Sequence, residues 1–176
     1  ENKYLKGFNA KLLPSLLKEA HKRKPMEEIT LDQDATFIYS NTEGALYNYE
    51  GKSSFEALNL YCPEYDVMFQ SEFRDGNVNP GYGQLGQLQK ALSLLPEGIT
   101  KVKLRSDSAG YQKELLKFCA EGKDERFGVI DFAISCSGGI YRFLAIREPF
   151  KGKLVEEKIE DGQLFIEEVL EDILNI

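Results

Sequence analysis

Asp34 and Asp107 are the residues of this chain best placed for chemistry. The first lies in Ile29-Thr30-Leu31-Asp32-Gln33-Asp34-Ala35-Thr36-Phe37-Ile38, the second in Lys101-Val102-Lys103-Leu104-Arg105-Ser106-Asp107-Ser108-Ala109-Gly110-Tyr111. Each sits at the mouth of a strand-like apolar run. Two carboxylates on neighbouring strands can share a divalent cation, the arrangement by which many nucleases and phosphoryl-transfer enzymes work. Hard cations such as Mg²⁺ and Mn²⁺ take carboxylate oxygens, and Mg²⁺ keeps some of its water. A single aspartate at a strand end is more simply a cap for the next turn. The pair points to metal.

The elements that must position the pair follow from periodicity. Leu12, Leu13, Leu16 and Leu17 have helical spacing within residues 9–24, with Pro14 suited to a first turn and Pro25 as the stop. Strands are expected over 29–39, 55–62 and 66–73, the last two joined at Pro63-Glu64. Leu85, Leu88, Leu92 and Leu95 predict a helix over 82–95, ended by Pro96 and Gly98. A strand over 101–106, a helix over 110–121 and a strand over 126–135 come next. A strand meander that gives way to alternating β and α predicts an α/β fold, with a mixed sheet and helices on its faces. The ribonuclease H-like five-stranded sheet has this order, and its first and fourth strands are neighbours. That arrangement would bring Asp34 and Asp107 together.

Three segments are expected: a basic helix and linker over 1–28, the core over 29–150, and an acidic loop and helix over 151–176. In the last, Phe165, Val169, Leu170, Ile173 and Leu174 have helical spacing. Ser137-Gly138-Gly139 reads as a turn, or as a join across a shortened insertion near 135–140. The chain opens at Glu1 without a methionine, as a fragment or processed product would.

Composition narrows the classes. With 176 residues and 42% hydrophobic content, one buried core is the expectation. No apolar run reaches the length of a membrane span and no leader pattern opens the chain. Cys62, Cys119 and Cys136 are odd in number and far apart, which suits reduced cytosolic thiols, not a disulfide frame or zinc site. The net charge of −7 argues against a general nucleic-acid binder, yet the charge is uneven. Residues 1–25 hold seven Lys/Arg and two Glu, whereas residues 151–176 hold three Lys and eight Asp/Glu. A basic arm on an acidic body can still touch phosphates.

Five stretches in order resemble the catalytic core of DDE-type insertion-sequence transposases, the cut-and-paste group with a Leu-Asp-x-Asp-Ala-Thr first acidic motif. They are Thr30 to Thr36, Glu43 to Tyr47 with Tyr49-x-Gly51-Lys52, Ser71 to Asn77, Val102 to Tyr111, and Tyr141 to Pro149. The resemblance implies a ribonuclease H-like fold, a Mg²⁺ or Mn²⁺ cofactor, and cutting and joining of transposon-end DNA. It also implies a homodimer in the DNA complex and a cytoplasmic, nucleoid-associated protein. Carried over by position, it makes Asp34 and Asp107 the catalytic metal ligands, with Asp32 the competitor for the first place. The family's third ligand is a glutamate on a downstream helix, and nothing here matches its context. Glu167, Glu168 and Glu171 read as a solvated acidic face. A chain without the third ligand is expected to be inactive on its own.

Arg74, Asn77, Arg105, Tyr47 and Lys52 are candidate DNA contacts. Arg74 and Asn77 follow the third strand, Arg105 precedes the second aspartate, and Tyr47 with Lys52 could stack on and clamp a DNA end. Two other readings compete. Leu31-Asp32-Gln33-Asp34-Ala35-Thr36 also suits a haloacid dehalogenase-like phosphatase, with Asp32 as nucleophile and Asp34 as acid/base. The chain could instead be a non-catalytic fragment that binds DNA or a partner.

Overall fold

The computed structural model of the protein describes residues 6–138, 141–146, 153–160 and 163–172, with side chains through Ser135. Strand β1 (Glu28–Tyr39) is the axis of the sheet. Its first half alternates strictly: Ile29, Leu31 and Gln33 are buried, while Thr30, Asp32 and Asp34 are not. That is the period of two that separates the faces of a strand.

A short β2 (Leu46–Tyr47) is followed by β3 (Ser53–Cys62) and β4 (Val67–Asp75). β3 pairs antiparallel with β1 on one side and with β4 on the other. β1 also pairs in parallel with β5 (Lys101–Ser106), and β5 in parallel with β6 (Asp131–Gly138). The lateral order β4-β3-β1-β5-β6 is the ribonuclease H-like arrangement expected from the sequence. Helix α2 (Gln84–Leu94) links β4 to β5, and α3 (Lys113–Ala120) links β5 to β6, because parallel neighbours need a long crossover. β6 begins later than the apolar pattern suggests. Asp124 accepts from the backbone N–H groups of Arg126 and Phe127, and this turn holds both residues out of the strand.

The sheet does not stop at five strands. It continues antiparallel through β7 (Tyr141–Ile146), β8 (Lys153–Glu160) and β9 (Gln163–Asp172). Of the acidic loop and terminal helix expected over 151–176, the described residues 153–160 and 163–172 are instead two paired antiparallel strands, with Leu154 opposite Val169 and Ile159 opposite Leu164. Spacing alone does not separate a short apolar strand from a helix. Phe165, Ile166 and Val169 are types that suit strands, and the run that pairs with them lies before Gly162, outside any helical window. Gly139, Ile140 and Arg147 to Gly152 lie outside the described residues, as do the side chains of Cys136, Glu167, Glu168 and Glu171.

One core cluster joins sheet and helices. Ile29, Leu31, Val102, Leu104, Phe132 and Ile134 meet Leu17, Leu88, Leu92, Leu115 and Phe118. Each such side chain contributes about 1.5–3 kcal/mol on full burial. Ile29 pairs with Val102 and Leu31 with Leu104, so the cluster occupies one face of the sheet. Among the described residues the helices thus cover one face and not both. The other face carries Thr30, Asp32, Asp34 and Thr36 of β1 beside Lys103 and Arg105 of β5, none of them buried.

The N-terminal helix is part of this core and not a linker. A π turn (Phe8–Leu12) runs into α1 (Leu13–Arg23), and the Leu13 N–H donates to the Phe8 carbonyl. Pro14 has no N–H for the ordinary bond to residue 10, and a wider turn absorbs the loss. Leu13 and Leu17 are buried, whereas Leu12 and Leu16 are 46% and 47% exposed. Four leucines mark two adjacent stripes, and the sheet covers one of them. No helix among the described residues is long and apolar enough to cross a membrane.

Candidate metal centre

The parallel register of β1 on β5 runs from Glu28 opposite Lys101 to Asp32 opposite Arg105 and Gln33 opposite Ser106. The next residues are Asp34, still within β1, and Asp107, the first beyond β5. The register therefore sets the two aspartates side by side, Asp34 midway along β1 and Asp107 just past the C-terminal end of β5.

Asp107 is held by the turn it starts. It caps the short 3₁₀ turn Ser108–Gly110, and its carboxylate accepts from the Ala109 N–H at 3.0 Å. Its carboxyl is raised above the ordinary aspartate value, chiefly by desolvation; the Ala109 N–H opposes this, and the negative charge of Asp34 adds to it. The two carboxylates are near enough to feel one another, and a like charge disfavours ionisation of its neighbour. Asp34 is exposed and accepts from Thr36 Oγ1 at 2.6 Å. It leaves oxygen lone pairs free for a hard cation. The residues present fit Mg²⁺ or Mn²⁺.

Asp32 competes with Asp34 in sequence but not in space. Arg105 grips it with a bidentate ion pair from Nε and Nη2. A carboxylate held this way is a structural partner. Arg105 stays exposed, but its guanidinium is committed to Asp32.

Sequence reasoning missed the residues around the pair. Asn59 of β3 lies directly opposite Asp34, at the cross-strand separation where side chains touch. Its Oδ1 accepts from Ser71 Oγ at 2.8 Å, so β3 and β4 extend the polar surface around the aspartates. Behind them, on the covered face, Gln33 Nε2 donates to the Gln84 carbonyl and to Gln87 Oε1, both at 2.9 Å, and Gln87 Nε2 donates to the Leu58 carbonyl. Gly110 packs against this layer; a Cβ there would lie 2.5 Å from Ser106 Oγ. The alternation in β1 could have flagged Gln33, a polar residue at a core position next to Asp34.

The candidate DNA contacts fare unevenly. Arg74 is corrected: its side chain is 9% exposed and paired with fully buried Glu56, and it also donates to the Tyr82 carbonyl. It braces the loop that enters α2, and burial takes it away from any phosphate. Asn77 is exposed within the Asp75–Val78 turn. Tyr47 is 72% exposed on β2. Lys52 pairs with Glu50 at 3.0 Å and lies over the Tyr39 ring. Tyr47 pairs with Ser53 of β3, whose neighbour Ser54 pairs with Tyr39, and Tyr39 is five residues beyond Asp34, about 17 Å along an extended strand. Tyr47 and Lys52 lie toward the far end of β1, away from the aspartates.

Cys62 and Cys119 are free and buried. Burial pushes both thiols up to about 12, so neither is a nucleophile at neutral pH. No cluster of three His, Cys, Asp or Glu suited to a metal occurs among the described residues. The chain matches no protein-family model and no curated protein.

Proposed function

We propose that the chain is part of the catalytic core of a DDE-type transposase, which cuts and joins transposon-end DNA by metal-dependent phosphoryl transfer. The observation that carries this reading is the side-by-side placing of Asp34 on β1 and Asp107 at the end of β5. A Mg²⁺ or Mn²⁺ pair bound there would activate the attacking water or 3′-hydroxyl and stabilise the leaving oxygen. The chain's own part is to hold two carboxylates at fixed separation: Asp34 by the strand ladder and Thr36, Asp107 by the Ala109 N–H. The Asp32–Arg105 pair keeps a third nearby carboxylate out of the site. The five sequence stretches supply the family, and the ribonuclease H-like sheet supports it. With no group of three metal-ligating side chains among the described residues, this stretch of chain is expected to bind metal and DNA without turning over.

The phosphatase reading draws no support from this geometry. Its nucleophile would be Asp32, which Arg105 occupies, and its doubly wound sheet has no antiparallel meander.

The test is a Mn²⁺ titration followed by calorimetry, then incubation of the chain with a transposon-end duplex. Micromolar to millimolar Mn²⁺ binding that Asp107→Asn abolishes is expected, without strand cleavage. Metal binding untouched by Asp34→Asn and Asp107→Asn would overturn the reading.

A further inference from the structure

Lys11, Ser15, Lys18 and Lys22 follow one another at four-, three- and four-residue steps and line one wall of a groove of about 610 Å³. The opposite wall is Leu94 to Glu97, at the end of α2. All three lysines are exposed. Lys22 is paired with Glu19 at 2.5 Å, and Lys11 and Lys18 carry no ion pair among the described residues. Helical rise puts Lys18 and Lys22 about 6 Å apart along the axis, with Lys11 about 10 Å further back. A row of cations at such spacing, over an apolar floor that their alkyl stems can line, suits a polyanion backbone and not one small anion.

The groove is far from the aspartates. His21 also lines it and reaches the loop before β5, where a Cβ on Gly98 would lie 2.5 Å from its Nε2. That loop is at the N-terminal end of β5, and Asp107 is at the other end, about 20 Å away along the strand. The groove also faces the helical side of the sheet, whereas Asp34 belongs to the open side.

We propose that this groove is a second, sequence-independent DNA-holding surface, taking the phosphate backbone of a duplex segment other than the one whose bond lies at Asp34 and Asp107. It rests on the transposase reading for its partner but not for its chemistry. A net charge of −7 repels DNA from most of the molecule, so a local row of lysines decides where the backbone can lie. Such a surface would anchor flanking DNA, or a second end, while the first is cut.

The experiment is fluorescence anisotropy with a random-sequence DNA duplex over a salt series. Each lost phosphate contact lowers the slope of log K against log salt by about 0.9. The triple variant Lys11→Gln, Lys18→Gln, Lys22→Gln should lose about 2 to 3 in slope, equally on any sequence, and the three Lys→Arg changes should restore it. Thermal midpoint is read alongside, and the Mn²⁺ response should be unchanged. An unchanged slope, weakening confined to one sequence, or no duplex binding by the wild-type chain at low salt would each overturn the proposal. So would loss of binding to anionic phospholipid vesicles with DNA binding intact, which would assign the row to a membrane surface. In each case an intact Mn²⁺ response would leave the metal-site reading standing.

Discussion

Asp32 and Arg105 face each other across the parallel ladder of β1 and β5 and close a bidentate ion pair. Two residues further on, Asp34 of β1 and Asp107 just past β5 stand together, like charge beside like charge. The same strand pair therefore sets one carboxylate against a guanidinium and two carboxylates against each other. That contrast separates Asp32 from Asp34 by function.

The contrast sets the first prediction. Asp34→Asn and Asp107→Asn should abolish the rise in thermal midpoint that Mn²⁺ produces by binding only the folded state. Asp32→Asn should keep that rise and instead lose up to about 1 kcal/mol, the range of a partly exposed pair. Differential scanning fluorimetry with and without chelator reads both effects. A Mn²⁺ response lost in Asp32→Asn and kept in Asp34→Asn would reverse the assignment.

The raised carboxyl of Asp107 gives a pH dependence. Its folded value lies above the ordinary 3.8, so the folded state binds the proton more tightly than the unfolded state does. Stability from this group is fully present below about 3.8 and is lost as pH rises through the folded value. Asp107→Asn should therefore look increasingly favourable relative to wild type as pH climbs through that window in chelator, with a constant difference above it. Mn²⁺ affinity should rise over the same window, because the cation displaces a proton. Chemical denaturation of both proteins between pH 3.5 and 7 checks the sign; a gap that shrinks with pH would contradict it.

Arg74 separates a DNA contact from a buried brace. Glu56 is fully buried and its carboxyl is raised, mainly by desolvation. Arg74→Ala would leave that group without its partner, at a cost of about 3–5 kcal/mol. Glu56→Gln should cost less, since an amide still accepts a hydrogen bond. A clear fall in midpoint is expected for Arg74→Ala. Loss of DNA affinity at unchanged midpoint would return Arg74 to the DNA surface.

Gly110 belongs to the turn that holds Asp107. Its missing Cβ would meet Ser106 Oγ at 2.5 Å and Gln84 Oε1 at 3.2 Å, inside the layer that supports both aspartates. Gly110→Ala should cost about 1–3 kcal/mol, the usual range for overpacking, and weaken the Mn²⁺ response although it removes no ligand. An alanine variant with wild-type midpoint and Mn²⁺ affinity would show that the turn is not under this constraint.

Much of this arrangement was legible in the sequence because it is written locally. Alternation in 29–34, helical spacing in 85–95 and turn chemistry at Pro63-Glu64 each fix an element within one short window, and strand order then carries Asp34 to Asp107. What escaped is written between distant segments. Arg74 reads as a free cation until Glu56 is found beside it, 18 residues away. The run 163–172 reads as a helix until 153–160 is laid against it. Leu12 and Leu16 look like Leu13 and Leu17 by spacing, and only packing tells the exposed pair from the buried one.

Asn9 is the clearest of these hidden pairings. It is fully buried, and its side-chain amide donates to the Ser71 carbonyl at 2.5 Å and accepts from the Ser71 N–H at 3.0 Å. Gln70 Nε2 adds a bond to the Asn9 carbonyl at 3.2 Å. The side chain thus occupies the place of one more strand residue on the free side of β4, where unpaired backbone would otherwise be a liability. Asn9→Ala removes both side-chain bonds and leaves two backbone groups of β4 unsatisfied, at about 1–3 kcal/mol for each that stays dry. The midpoint should fall, and the Ser71 amide should exchange with solvent faster by a larger factor than amides in β1 or β5. Asn9→Asp keeps the acceptor but loses the donor, and should protect Ser71 partly. If Ser71 exchange follows only the global loss of stability in both variants, water is already replacing the amide, and Asn9 does not seal the edge.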